Sequence, residues 1–145
     1  MGQPSPHRAR SPGPRERASY LAENVLPLEK ARLELVEGEG EVLPGITVHP
    51  SEGHTAGLQW VKVGDGKGAV VFVADLIPTA AHLHLPFVMG YDMCVETLIR
   101  EKAELLRRAV DEEWVLVFAH DVDVAAGRVA RDVDGRFRLG ESVNV

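Results

Sequence analysis

The apolar residues of this 145-residue chain fall into short runs and one long periodic stripe. The stripe predicts an amphipathic helix that begins after Asp92 as its N-cap and ends near Glu112; its apolar members are Val95, Leu98, Ile99, Leu105, Leu106 and Ala109. A weaker helical pattern covers residues 15–31. Apolar or alternating runs predict strands at 33–36, 41–43, 46–49, 58–63, 69–74, 114–119, 128–133 and 136–139. This order indicates a mixed α/β (α+β) fold.

Two glycine-containing segments predict hairpins. The segment 64–68 joins two predicted strands, and it has neither the spacing of a phosphate-binding loop nor a helix after it. We therefore interpret it as a hairpin tip. Asp134-Gly135 lies between the last two predicted strands and is a strong hairpin signal.

Composition excludes several classes of function. The formal net charge is −6, which is unlike the basic surface of a nucleic-acid-binding protein. No apolar stretch is long enough for a membrane span. Cys94 is the only cysteine, so no intrachain disulfide forms, and a cytoplasmic location is expected. Residues 1–14 hold four of the nine prolines and predict a disordered leader, with residues 15–145 as the folded domain.

Three residues are candidates for a metal site. His54 follows an apolar stretch within Gly53-His54-Thr55, and Asp75 and His120 each follow a buried-type strand. Imidazole and carboxylate are the ligands of hydrolytic zinc. A bound divalent cation lowers the pKa of its water from 15.7 to about 7, giving a hydroxide able to attack an ester, lactone, amide, thioester or phosphoester. The alternative is that all three are ordinary caps or loop residues, because their separations carry no local periodicity.

Four further residues are candidates for supporting roles. Thr55 and Asp121 adjoin two of the candidate ligands and are placed to orient them by hydrogen bonds to the ligating side chains. His82 and His84 would face the same side of an extended segment and so meet one metal ion. Alternatively, these two histidines lie in a loop near the mouth of the pocket.

The ordered motifs resemble a known family. From about residue 16 to 139, the chain is similar to the C-terminal half of the metallo-β-lactamase-fold metallo-hydrolase superfamily. The matching segments are Pro44-Gly45-Ile46, Gly53-His54-Thr55-Ala56-Gly57, Ala74-Asp75-Leu76 and Phe118-Ala119-His120-Asp121. Segments 78–83 and 88–92 are similar to one bacterial branch of that superfamily.

The resemblance implies half of an αββα sandwich, with a mostly antiparallel sheet and one long amphipathic helix packed on it. It also implies a site for two metal ions, usually zinc, at one edge of the sheet. His54 would bind one ion, His120 the other, and Asp75 would bridge them. The nucleophile would be metal-bound hydroxide, and the substrate a small molecule.

The resemblance is partial, because the superfamily's leading motif His-x-His-x-Asp-His is absent and the first sheet has no counterpart. We therefore expect a truncated hydrolase that is weak or inactive alone. Alternatives are a half-domain that needs a partner chain, or a non-catalytic binding or structural module that has lost its metal. The remaining sheet is expected to expose an apolar face through which the chain self-associates.

Overall fold

The structure, a computed structural model, describes residues 11–14, 17, 21–32 and 34–144. The chain divides into two compact units, Met1–Glu37 and Gly38–Val145. In the first unit, helix α1 (Ala22–Val25) continues into a 3-10 helix over Leu26–Lys30. Residues 1–10 of the predicted leader lie outside the described residues.

The second unit is built on one seven-stranded sheet whose strands are ordered as they occur in the chain. The strands are β1 (Gly40–Leu43), β2 (Ile46–Ser51), β3 (Leu58–Val63), β4 (Val70–Phe72), β5 (Val115–Val117), β6 (Ala126–Arg131) and β7 (Phe137–Val143). All neighbouring pairs are antiparallel except β4 and β5, which are parallel. Both predicted hairpins, β3–β4 and β6–β7, are confirmed.

The parallel pair requires a crossover connection, because parallel strands cannot be joined by a tight turn. That connection contains helix α2 (Val95–Asp111), which packs on one face of the sheet. Leu98, Leu105 and Leu106 of α2 are almost fully buried. They form one core with sheet residues Trp60, Val71, Leu116 and Val129. This single sheet with one long helix confirms the predicted half sandwich.

The opposite face of the sheet carries apolar side chains that are substantially exposed. Side chains alternate along a strand, so Val71 is fully buried while Val70 and Phe72 are 39% and 43% exposed. Val63, the partner of Val70 on β3, is 48% exposed. We call the surface formed by Val63, Val70 and Phe72 the open face.

Among the described residues, no helix is long and apolar enough to cross a membrane.

Three details of the predicted elements are wrong. Residues 34–36 form no strand, and β1 pairs instead with β2 through the turn at Pro44-Gly45, where Gly45 adopts φ +75°. The N-cap of α2 is Cys94, because the Asp92 carboxylate is used elsewhere. Val95 is 42% exposed and stands outside the buried stripe of the helix.

Candidate metal centre

His54 lies on a short segment between β2 and β3 that is tied to the start of α2. The Met93 N–H donates to the His54 carbonyl at 3.1 Å, and the Cys94 N–H donates to the Gly53 carbonyl at 2.9 Å. Position 53 accepts only glycine without rearrangement, because a Cβ there would lie 2.4 Å from the backbone nitrogen and Cα of Leu98. The imidazole is therefore held in a buried and fixed position.

Asp75 and His120 follow β4 and β5, so the parallel pairing of these strands brings both residues to the same sheet edge. Asp75 occupies a 3-10 turn, Ala74–Leu76, shortly after β4. His120 comes three residues after the end of β5, and its N–H donates to the Pro78 carbonyl at 3.0 Å. The side chain of Asp75 is 33% exposed and that of His120 is 59% exposed, so the site opens to solvent on the His120 side.

The Asp75 carboxylate lies between the other two candidate ligands, His54 and His120. Its Oδ2 lies 3.4 Å from His54 Nε2, and its Oδ1 lies 2.8 Å from His120 Nε2. One carboxylate thus presents one oxygen to each imidazole. This is the arrangement in which a carboxylate is able to bridge two cations.

Asp92 holds the other side of the His54 ring. Its Oδ1 lies 2.8 Å from His54 Nδ1, and its Oδ2 accepts the Met89 N–H at 2.7 Å. A carboxylate behind a histidine fixes the tautomer and leaves the second nitrogen free for a ligand. In the tautomer with the proton on Nδ1, His54 Nε2 and Asp75 Oδ2 face each other as two acceptors. Only a proton or a cation between them makes that contact favourable.

The pKa shifts follow from this geometry. The hydrogen bond with Asp75 is the main cause that raises the pKa of His54, burial acts against it, and Asp92 adds to the increase. The same pair lowers the pKa of Asp75, chiefly through the hydrogen bond with His54, against the effect of burial and with a further contribution from His120. Both shifts favour the pairing of protonated His54 with ionised Asp75.

The residue before Asp75 is strained. Ala74 adopts φ +48°, a left-handed conformation that a side chain disfavours by roughly 1–2 kcal/mol and that glycine accepts readily. Strain of this kind is retained where the surrounding structure dictates the backbone, often at functional sites. Here it turns the chain directly after β4, so that the carboxylate of Asp75 lies between the two histidines.

The other predicted site residues lie in the surrounding loops. Asp121 accepts the Ala80 N–H at 2.8 Å and the Val124 N–H at 2.9 Å, and so ties two loops together beside His120. His82 lies in the 3-10 turn Ala80–Leu83, not in an extended segment, and its Nδ1 contacts Thr79 Oγ1 at 2.8 Å.

His84 packs edge-on against Phe87 at 4.8 Å between ring centroids, in the loop that follows His82. Thr55 accepts the Leu58 N–H through its carbonyl, and the bond that orients His54 comes from Asp92 instead. Tyr91, which sequence reasoning did not single out, packs edge-on against His54 with the centroids 5.9 Å apart and is half exposed.

The donors fit a hydrolytic metal ion in kind but not in number. Imidazole nitrogen and carboxylate oxygen are suitable zinc ligands. Within the part of the chain that the structure describes, however, no group of three or more His, Cys, Asp or Glu side chains is placed to hold a metal ion. Each histidine with Asp75 provides two protein ligands, whereas a catalytic zinc usually keeps three.

The fold is that of metallo-β-lactamase-fold hydrolases over about half of their length. The chain superimposes on a protein from Staphylococcus aureus described as a probable metal-dependent hydrolase, with a TM-score of 0.77, 27% identity, and coverage of 95% of this chain and 50% of that one. It also superimposes on AidC, a dizinc quorum-quenching lactonase, with a TM-score of 0.72, 16% identity, and coverage of 98% and 49%. These matches confirm the fold that the sequence motifs predict.

In sequence, the chain is similar to lactonases. The chain is 29% identical over 111 residues to an N-acyl homoserine lactonase of a Bacillus species, a match that covers 74% of this chain and 42% of the relative. The chain therefore spans about half the length of the relatives and structures that it matches. No family model matches it.

Proposed function

We propose that this chain carries part of the metal site of a hydrolase that opens a lactone. The observation that supports this most directly is the pair of Asp75 oxygens, each facing the Nε2 atom of a different histidine. The similarity to an N-acyl homoserine lactonase favours a lactone over the thioesters and phosphoesters that the same ligand chemistry serves. The substrate would then be a small molecule.

In this proposal zinc would be held by His54, His120 and Asp75, with the two histidines binding different ions and the Asp75 carboxylate contributing to both. Bound zinc supplies a water whose pKa is lowered towards neutrality. The chain's own residues supply orientation: Asp92 holds the Nδ1 atom of His54 at 2.8 Å. Asp121 anchors the loop beside His120.

We also propose that the chain alone is a weak or inactive hydrolase. Two protein ligands per ion leave each ion less firmly held than the three ligands of a catalytic zinc. Additional ligands would have to come from another polypeptide segment.

Zinc titration of the metal-free chain by calorimetry tests this proposal. The parent is expected to bind zinc weakly. His54→Ala is expected to lower the affinity by about 10–100-fold or more, at least the loss that follows removal of a residue that only orients a metal ligand. His82→Ala is the matched control, because this imidazole bonds to Thr79 outside the candidate site. In parallel, hydrolysis of an N-acyl homoserine lactone with added zinc is expected to remain near the background rate.

Three outcomes would contradict the proposal. If the parent and His54→Ala bound zinc equally well, His54 would not be a zinc ligand. Absence of binding by the parent would favour a non-catalytic module. Tight stoichiometric zinc with rapid lactone turnover would overturn the weak activity proposed for the chain alone.

The open face favours a second candidate role, as a half-domain that associates through its sheet. Val63, Val70 and Phe72 are adjacent across β3 and β4, and each is at least 39% exposed. A contiguous apolar patch of this kind is typical of an interaction surface. We propose that two copies of the chain pair through it.

Analytical ultracentrifugation tests the self-association. The parent is expected to show a mass that rises with concentration, and Phe72→Lys to raise the apparent dissociation constant by about tenfold or more, since a charge would be buried in the interface. Val133→Lys makes the same type of change at a fully exposed position in the β6–β7 turn and should have no effect. A parent that stays monomeric at every concentration would exclude this role.

A further inference from the structure

Two consecutive residues of α2 hold the two loops that meet at His54. Glu101 contacts the segment that leads into His54, and Lys102 contacts the loop that leads into Asp92. Consecutive residues of an α-helix point about 100° apart, so a single helical turn reaches both loops.

Glu101 accepts three hydrogen bonds from the segment before His54. Its Oε2 accepts from Ser51 Oγ at 2.8 Å and from the Gly53 N–H at 3.2 Å, and its Oε1 accepts from the Glu52 N–H at 3.0 Å. Bonds from neutral donors to a carboxylate are stronger than those to a neutral acceptor. This segment is therefore fixed to α2 by one side chain, in addition to the contact of Gly53 with Leu98.

Lys102 is fully buried and donates to two carbonyls of the second loop. Its Nζ lies 3.1 Å from the His84 oxygen and 2.6 Å from the Phe87 oxygen. Burial lowers the pKa of Lys102 to about 8, with Asp92 as the nearby opposing charge. A buried ammonium is costly unless it is hydrogen-bonded, so its two bonds hold the 84–87 loop firmly.

The two anchored loops meet in the contact between His54 and Asp92. The loop held by Lys102 continues to Met89, whose N–H donates to Asp92 at 2.7 Å. The segment held by Glu101 continues to His54, whose Nδ1 lies 2.8 Å from Asp92. We propose that Glu101 and Lys102 are positioning residues that together fix the His54–Asp92 contact and hence the direction of the ligand-free Nε2 atom of His54. The role of this Nε2 orientation in metal binding rests on the proposed function.

The test uses the metal-free full chain with nitrogen-15-labelled histidine and needs neither metal nor substrate. In the parent, the His54 ring is expected to show one Nδ1-bound proton in slow exchange at a fixed pH. Glu101→Gln keeps the shape of the side chain and is expected to speed exchange of that proton, and of the Glu52 and Gly53 amides, by about tenfold. Lys102→Met is expected to do the same for the ring proton and for the Met89 amide.

The matched controls are Glu104→Gln and Lys67→Met. Glu104 is exposed on the same helix and pairs with Arg107, and Lys67 is exposed and pairs with Glu113. Both controls should leave the ring proton unchanged. If Lys102→Met fails to fold, the Glu101 variant decides alone. A folded Glu101→Gln with an unchanged ring proton, or equal effects in the controls, would overturn the proposal, whereas a failed zinc titration would overturn only the proposed function.

Discussion

Gly53→Ala is expected to lower the free energy of unfolding by about 3 kcal/mol, at the upper end of the usual cost of overpacking. The added methyl group would lie 2.4 Å from the nitrogen and Cα of Leu98. These are backbone atoms in the first turn of a 17-residue helix, so no side-chain rotation relieves the contact. The segment carrying His54 or the helix must move. Urea denaturation followed by circular dichroism measures the loss.

Gly90→Ala is the matched control for this substitution. A Cβ at position 90 meets no atom within 4 Å, and Gly90 lies in the loop on the other side of His54. Its effect should stay within about 0.5 kcal/mol, as for most surface changes. A Gly53→Ala variant as stable as the Gly90→Ala variant would show that the close approach of the segment to α2 is not required for folding.

Most strand positions and two hairpins were predictable from the sequence because alternation and turn residues act locally. Asp134-Gly135 specified the last hairpin, and Gly135 does adopt a left-handed φ of +77°. The strand predicted at 33–36 was wrong because an alternating pattern does not specify a partner strand. Within the described residues 34–36 no strand forms, and Leu35 is 77% exposed.

The proximity of the three candidate residues was predictable because each follows a strand, and strand ends at one sheet edge lie close together. The residues that hold these side chains in place were not predictable from the sequence. Asp92 had the signature of an N-cap, but the contact with His54 spans 38 residues and has no local signal. Lys102 lies among the apolar positions of α2 and would ordinarily be assigned to the exposed face. It is buried because two loop carbonyls require a donor.

The helix thus has two functions in the fold. Its apolar stripe covers the sheet, and the residues beside that stripe fix the loops of the candidate site. Sequence periodicity detects the first because burial recurs every three to four residues. The second depends on single long-range hydrogen bonds, which leave no periodic pattern.

Asp75→Asn is expected to have the largest effect on the candidate site. It removes the charge that both histidines face, and the zinc affinity of the chain should fall by more than about 100-fold, beyond the usual loss for a residue that only orients a metal ligand. In the metal-free chain, the pKa of His54 should fall, because the hydrogen bond with Asp75 is the main cause of its increase while burial opposes it. Histidine NMR titration measures the pKa, and calorimetry measures the zinc affinity.

The pH dependence of stability gives an independent measure of the same pair. The raised pKa of His54 means that its contribution is complete below about 6.5 and is lost as the pH rises through the folded value. The lowered pKa of Asp75 means that its contribution is complete above about 3.8 and is lost as the pH falls through the folded value. The difference in free energy of unfolding between the parent and Asp75→Asn should therefore be largest between about pH 3.8 and 6.5. It should shrink at higher pH.

His49 and Asp123 provide the references for this experiment. Burial lowers the pKa of His49, against the effect of Glu39, so His49 should titrate below 6.5 in both the parent and Asp75→Asn. Asp123→Asn changes an exposed carboxylate in the loop beside His120 and should leave the pKa of His54 and the zinc affinity unaltered. If the pKa of His54 were the same in Asp75→Asn as in the parent, the pairing of these two side chains would be excluded. Asp75 would then not be placed to bridge two metal ions, because a bridging carboxylate must lie close enough to the His54 imidazole to affect its pKa.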